Sequence, residues 1–316
     1  MSRSKVSALA GFLTLTLSVL AGSANAQPRN APNPQTTVKF KFADISVPGA
    51  VQTSAYAINN KKFVAGNYLD DAGEQKAMIF KGSKLTSVSC PSGAATSFYG
   101  VNSGGSAVAD DTCGNGFSWV YVPGRGWVPI PDPGCPDCPI FSLAINDIDQ
   151  VVGIEIDENQ LARGFSYNLK SNNFTTWKMP GYPLPVPAFW GINNEGVVAL
   201  QALDPASGLA HSYLFNGSSF TQIDVPGALQ SFAHGINNNG DIVYTVEDAN
   251  GNSSGVLYYL GQFYWFNQPD GRHTTRAYGI TDEVKTENGI KLKIVGDYTV
   301  PGSNQDKAFE ATVVIR

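Results

Sequence analysis

The chain has 316 residues, 42% of them hydrophobic and 15% charged, with a formal net charge of −5. That balance excludes a disordered chain, and the lack of any basic or acidic block excludes nucleic acid as a partner. The 33 glycines and 19 prolines imply many turns, and hence many short strands.

The chain opens on a processing signal. Arg3 and Lys5 form a positive start, "VSALAGFLTLTLSVLAG" is an apolar run, and Ala24-Asn25-Ala26 is a small-x-small cleavage site. Residues 1–26 therefore read as a signal peptide cleaved after Ala26. An uncleaved anchor is the alternative, and the small residues at its end argue against it. No later stretch reaches the ~18 apolar residues that span a bilayer. A secreted protein is expected, extracellular or periplasmic, with no integral membrane segment after cleavage. Residues 27–37, "QPRNAPNPQTT", read as a Pro/Asn-rich tether.

From residue 38 to 316 one unit recurs. "YAINNKKFVAG" starts at Tyr56, "YGVNSGGSAVA" at Tyr99, "LAINDIDQVVG" at Leu143, "WGINNEGVVAL" at Trp190, "HGINNNGDIVY" at His234 and "YGITDEVKTENG" at Tyr278. Their turn residues, Asn59, Asn102, Asn146, Asn193, Asn237 and Thr281, keep a period of about 44 residues. A Pro/Gly turn precedes each copy, as at Pro48-Gly49 and Pro226-Gly227. An aromatic-rich strand and a second tight hairpin follow it, as in "HSYLFNGSSFTQIDVPGA".

Each unit thus supplies four antiparallel strands, A to D, and six such units predict an all-β, six-bladed β-propeller. A β-solenoid shares the period, but two tight hairpins per unit favour blades. The chain begins with a D-type strand, "KFKFADISVPGA", and ends with a C-type strand, "KAFEATVVIR". The first can complete the last blade and close the ring. In strand A a large residue always precedes a small one. Strict alternation places them on opposite faces, so that the bulky face of one blade packs on the bare face of the next.

The pairing of "GINNNG…IV" with "HSYLF-NG-FTQIDVPGA" resembles the HAF-type bacterial extracellular repeat family over residues ~40–316. The resemblance implies an exported repeat protein and implies no activity. The leading His of that pattern survives only at His211.

Candidate sites follow from the ring. Tyr56, Tyr99, Trp190, His234 and Tyr278 surround the axis and form a candidate ligand-binding set; packing between blades is the alternative. The B-to-C connections carry Asp70, Asp71, Asp110, Asp111, Asp157, Glu158, Asp204, Glu247, Asp248 and Asp297. An acidic rim there suits a hard cation such as Ca²⁺. Asx turns account for the same residues, because Gly73, Gly208 and Gly251 follow. No catalytic motif, metal motif or cofactor motif is present.

The four cysteines, Cys90, Cys113, Cys135 and Cys138, suit an oxidising compartment. Of three pairings, Cys90–Cys113 with Cys135–Cys138 is preferred, since the second pair is nearly adjacent. The functional expectation is a non-catalytic exported module with a glycan or protein ligand. The alternative is a hydrolase or lyase acting on extracellular polysaccharide or a lactone through loop-face carboxylates.

Overall fold

A computed structural model describes residues 36–90, 95–109, 118–131, 134–135, 138–180 and 188–316. The expected signal peptide, most of the tether, Asp110, Asp111 and Cys113 lie outside the described residues.

After β1 (Val38–Ile45) come six blades. Blade 1 holds β2 (Ala50–Ile58), β3 (Phe63–Asp70), β4 (Gln75–Lys81) and β5 (Lys84–Val88). Blade 2 holds β6 (Phe98–Val101), β7 (Ala107–Ala109), β8 (Ser118–Val122) and β9 (Gly126–Ile130). Blade 3 holds β10 (Ile140–Ile145), β11 (Gln150–Ile156), β12 (Ala162–Asn168) and β13 (Asn173–Trp177). Blade 4 holds β14 (Ala188–Ile192), β15 (Val198–Leu203), β16 (Ala210–Phe215) and β17 (Phe220–Gln222). Blade 5 holds β18 (Gln230–Ile236), β19 (Ile242–Glu247), β20 (Ser253–Tyr259) and β21 (Gln262–Phe266). Blade 6 holds β22 (Thr275–Ile280), β23 (Val284–Thr286), β24 (Gly289–Thr299) and β25 (Asp306–Ile315). A 3-10 turn at Pro269–Gly271 is the only helical element among the described residues.

The protein is a six-bladed β-propeller. The inner strands β2, β6, β10, β14, β18 and β22 contact one another in sequence, and β22 returns to β2. Closure is as the orphan strands predicted: β1 pairs antiparallel with β25 from Val38–Ile315 to Ile45–Ala308. The apolar core is divided among the seams. Each of its six clusters joins two adjacent blades, as where Val243 and Leu257 of blade 5 meet Ala277 and Ile294 of blade 6. Stability therefore resides between blades, which are too thin to bury a core alone.

One expectation about the inner strands is corrected. Strict alternation in strand A fails because every inner strand carries a β-bulge. The register slips between Ala55 and Ala57, Phe98 and Gly100, Ser142 and Ala144, Phe189 and Gly191, Ala233 and Ile236, and Ala277 and Gly279. In every blade the large residue sits in the bulge, where the extra residue re-aims it towards the axis. The small residue meets the neighbouring backbone instead of a bulky face. A Cβ on Gly191 would lie 2.1 Å from the His234 carbonyl oxygen, and one on Gly279 2.8 Å from the Ile58 nitrogen.

In the sixth unit the A-to-B connection is longer than in the others and carries Asp282, Glu283, Lys285, Glu287, Lys291 and Lys293, a composition that by itself suggests a solvated hairpin. β24 runs through it, and Ile290 to Lys293 pair with Ile315 to Thr312. Leu292 is buried there.

Candidate functional site

Along the axis three layers are stacked. On the A-to-B face lie the turn asparagines. The Oδ1 atoms of Asn59, Asn102, Asn146, Asn193 and Asn237 each accept the backbone N–H two and four residues on. The residue three on, as at Gly240, has positive φ, the left-handed conformation that such a turn requires. The following residue straps blades together. Ser103 donates its N–H to Asp147, Asp147 to Asn194, Asn194 to Asn238, Asn238 to Asp282 and Asp282 to Asn60, all onto Oδ1 at 2.7–2.9 Å. "HGINNNGDIV" is thus a structural unit: the first Asn folds the turn and the second binds the next blade.

Above the belt sit Ile58, Val101, Ile145, Ile192, Ile236 and Ile280, which separate two axial cavities of about 80 Å³ each. The second cavity is ringed by Tyr56, Tyr99, Trp190 and Tyr278, and His234 packs against the last two. Tyr56 stacks on Tyr99 with ring centres 5.0 Å apart and meets Tyr278 edge-on at 5.1 Å. Trp190 lies 5.1 Å from His234, and His234 4.9 Å from Tyr278. Leu143 takes the sixth place, and Tyr99 and Trp190 approach each other at 6.4 Å. All five candidate residues therefore converge. The cavity that four of them line is below the few hundred Å³ of a typical ligand pocket and has room for a few waters or one end of a larger molecule.

The ring's polar atoms are unevenly satisfied. The His234 Nδ1 lies 2.9 Å from the Ala277 carbonyl oxygen. The Trp190 Nε1 is buried with no hydrogen-bond partner, as are Asn67 Oδ1 on β3 and Gln201 Oε1 on β15. Burial, reinforced by the Asp297 charge, pushes the Tyr56 hydroxyl up to about 12 and raises the Tyr278 hydroxyl well above its ordinary value. Neither is a base at neutral pH.

Asp297 is not a loop residue, as the sequence reading had it. It stands in β24, 2% exposed, opposite Arg276 on β22. The Arg276 Nε donates to it at 2.6 Å, and the same guanidinium reaches Asp306 at 2.7 Å. Burial raises the Asp297 carboxyl to about 6 against the pull of Arg276. The charged pair escaped the sequence reading because Arg276 and Asp297 are 21 residues apart and only strand register joins them.

Burial pushes the His234 imidazole down to about 4 from its ordinary value near 6.5. Between those values the unfolded chain takes up a proton that the folded ring refuses. The stability tied to His234 is complete above pH 6.5 and is lost as pH falls towards 4, by up to about 3 kcal/mol. Asp297 acts in the opposite sense. Its folded carboxyl binds a proton before the unfolded one does, so its contribution improves as pH falls from about 6 towards 4. His234→Tyr, the residue of three other blades, should remove the acid loss and expose the Asp297 gain. Thermal unfolding of both proteins between pH 4 and 7 checks it: the variant's Tm should hold or rise on acidification where the wild type's is flat or falls.

The B-to-C carboxylates are turn clamps. Oδ1 of Asp70, Asp157, Asp204 and Asp248 each accepts two backbone N–H groups. All four carboxyls are held below the usual range. For Asp70 the Lys76 ammonium is the first cause, for Asp204 the Ala206 amide, and for Asp248 the Asn252 side chain. At Asp157 hydrogen bonds from Leu161 and Arg163 outweigh the opposing effect of burial. Among the described residues no three His, Cys, Asp or Glu side chains gather as a metal site.

Cys135 and Cys138 are bridged, with Cα atoms 5.3 Å apart. Cys90 is also disulfide-bonded, and its expected partner, Cys113, lies outside the described residues. No helix among the described residues is long and apolar enough to cross a membrane.

No family model matches the chain, and no curated protein sequence does. Solved structures of similar shape are distant. The Aleuria aurantia lectin in complex with Fucα1-6GlcNAc has 9% identity and a TM-score of 0.46, covering 82% of this chain and 91% of its own. The AofleA protein from Arthrobotrys oligospora has 10% identity and a TM-score of 0.48, covering 88% and 93%. A prolyl endopeptidase has 12% identity and a TM-score of 0.46, covering 79% of this chain and 40% of its own. A sugar-binding protein and a peptidase appear together, so these likenesses carry neither ligand nor chemistry to this chain.

Proposed function

We propose that the chain is an exported, non-catalytic HAF-type repeat protein that binds a glycan end at the aromatic mouth of its axis. The observation that carries this reading is the Trp190 Nε1, a buried donor with no partner, set among stacked rings around a small cavity. A neutral sugar offers what that surface lacks: C–H faces for the rings and a hydroxyl oxygen for the indole N–H. Export rests on the signal-like residues 1–26. The engagement of the loop carboxylates as turn clamps favours binding over the hydrolase or lyase alternative.

The test is a tryptophan-fluorescence titration with a panel of neutral oligosaccharides. Saturable quenching is expected. Trp190→Phe keeps the ring and removes the N–H, and should weaken binding about tenfold, the worth of one neutral hydrogen bond. No saturable response, or unchanged affinity in Trp190→Phe, overturns the axial site.

A further inference from the structure

Outside the axis a groove of about 470 Å³ lies at the seam of blades 3 and 4, within the size range of ligand pockets. Met179, Tyr213 and Phe215 form its buried floor, and Trp177 and Phe220 are half-buried walls. Lys178, Ser218 and Ser219 stand at its exposed rim. Among the described residues no carboxylate lines it and Lys178 has no ion-pair partner.

The repeats supply their own control. Trp177 pairs with Gly164 on β12. At the same register the other blades place Ile45 opposite Ala308, Val88 opposite Ala77, Ile130 opposite Ser118, and Phe266 opposite Gly255. Ile223, whose N–H meets the Ser212 carbonyl oxygen, takes that place in blade 4. The next residue is Ser46, Ser89, Pro131, Asn267 or Asp224 elsewhere, and Asp224 is occupied by His211 at 2.6 Å. Only blade 3 pairs an indole with a cation. The groove at the seam of blades 6 and 1, about 330 Å³, also holds Lys62 and Lys293, but Lys293 is neutralised by Glu310 at 2.6 Å, the Asp44 carboxylate shares the lining, and no tryptophan is among its lining residues.

Packing explains an apolar residue at 177, and the exposed Lys178 beside it puts a cation at the rim of the groove. We infer that the blade 3–4 groove binds a carboxylate-bearing sugar residue, with its C–H face on Trp177, its carboxylate on the Lys178 ammonium and its hydroxyls towards Ser218 and Ser219. An acidic peptide would satisfy Lys178 alone and leave the flat indole wall without a matching surface. This site is separate from the axial one and stands or falls without it.

The test uses tetragalacturonate, an alginate tetrasaccharide, a hyaluronan tetrasaccharide, fully methyl-esterified tetragalacturonate and an oligoglutamate peptide. Binding is read by saturation-transfer NMR and calorimetry on the mature protein. At least one acidic sugar should bind saturably. For tetragalacturonate, esterification should weaken binding about tenfold or more. Lys178→Gln should weaken binding of any acidic sugar that binds by a similar factor, with unchanged Tm. Trp177→Ile restores the residue type of three other blades, which preserves packing, and should also weaken binding. Absence of binding to all three acidic sugars overturns the proposal, as does binding that both groove variants leave intact. Preference for the peptide over every sugar overturns it in favour of a protein partner.

Discussion

Deleting residues 38–46 is expected to abolish cooperative folding. β1 supplies the whole outer strand of blade 6, eight residues paired with β25. Phe40 and Phe42 pack towards Phe266 of blade 5, the first with ring centres 4.6 Å apart. Val38, Phe40, Phe42 and Ile45 are half-buried at the seams of blade 6 with blades 5 and 1. Their loss removes roughly 5 kcal/mol of apolar burial, comparable to the entire margin of an ordinary domain. It also bares β25 as an unpaired edge, a template for aggregation. Thermal unfolding with size-exclusion chromatography checks the outcome. A truncated protein that stays monomeric and melts at the wild-type temperature would contradict closure by β1.

Gly191→Ala should be nearly as damaging, although it adds one methyl group. Its Cβ would lie 2.1 Å from the His234 carbonyl oxygen and 3.2 Å from the Gly235 Cα, both backbone atoms of the next blade. The inner strands would have to separate, which opens the ring at one seam. A cost of about 3 kcal/mol or more is expected, at or beyond the upper range for overpacking. Gly227→Ala is the control. Its φ of 86° is strained for alanine, but nothing lies within 4 Å of the new Cβ. About 1 kcal/mol, the ordinary cost of the left-handed conformation, should be lost there. Urea unfolding of both variants gives the comparison, and equal losses would refute the close approach of β14 to β18.

The period, the number of blades and the closing strand were legible because they follow from turns. Asn and Gly at fixed spacing have local causes, and each hairpin is set by a few neighbouring residues. The inward aim of Tyr56 and its counterparts was legible only as a ring. Its mechanism was not, because a bulge inserts a residue without a sequence marker and breaks the period of two. Asp297 was placed in a loop for a related reason. The sixth A-to-B connection is longer, so counting from the turn residue lands in the wrong part of the blade. The groove beside Trp177 needed cross-strand register, since nothing near residue 177 announces that Phe220 and Tyr213 stand opposite. The turn roles of Asp70 and Asp248 could be read directly, because Gly73 and Gly251 supply the positive φ that such turns demand.

The one-way strap from Ser103 through Asp147, Asn194, Asn238 and Asp282 to Asn60 acts as a hoop at one end of a cask. A blade cannot lean outward at that end without lengthening the bonds to its neighbours, so tilt is shared around the circumference. Load applied to one blade is thereby distributed, and the amides of these five straps should exchange with solvent as a group and not one by one. The hoop's ends are Asn60 and Ser103, neighbours across the seam of blades 1 and 2. That gap is tied by the first Asn of the turn: the Asn59 Nδ2 donates to the Asn102 carbonyl oxygen at 2.6 Å, so a second kind of bond completes the hoop where the first one ends.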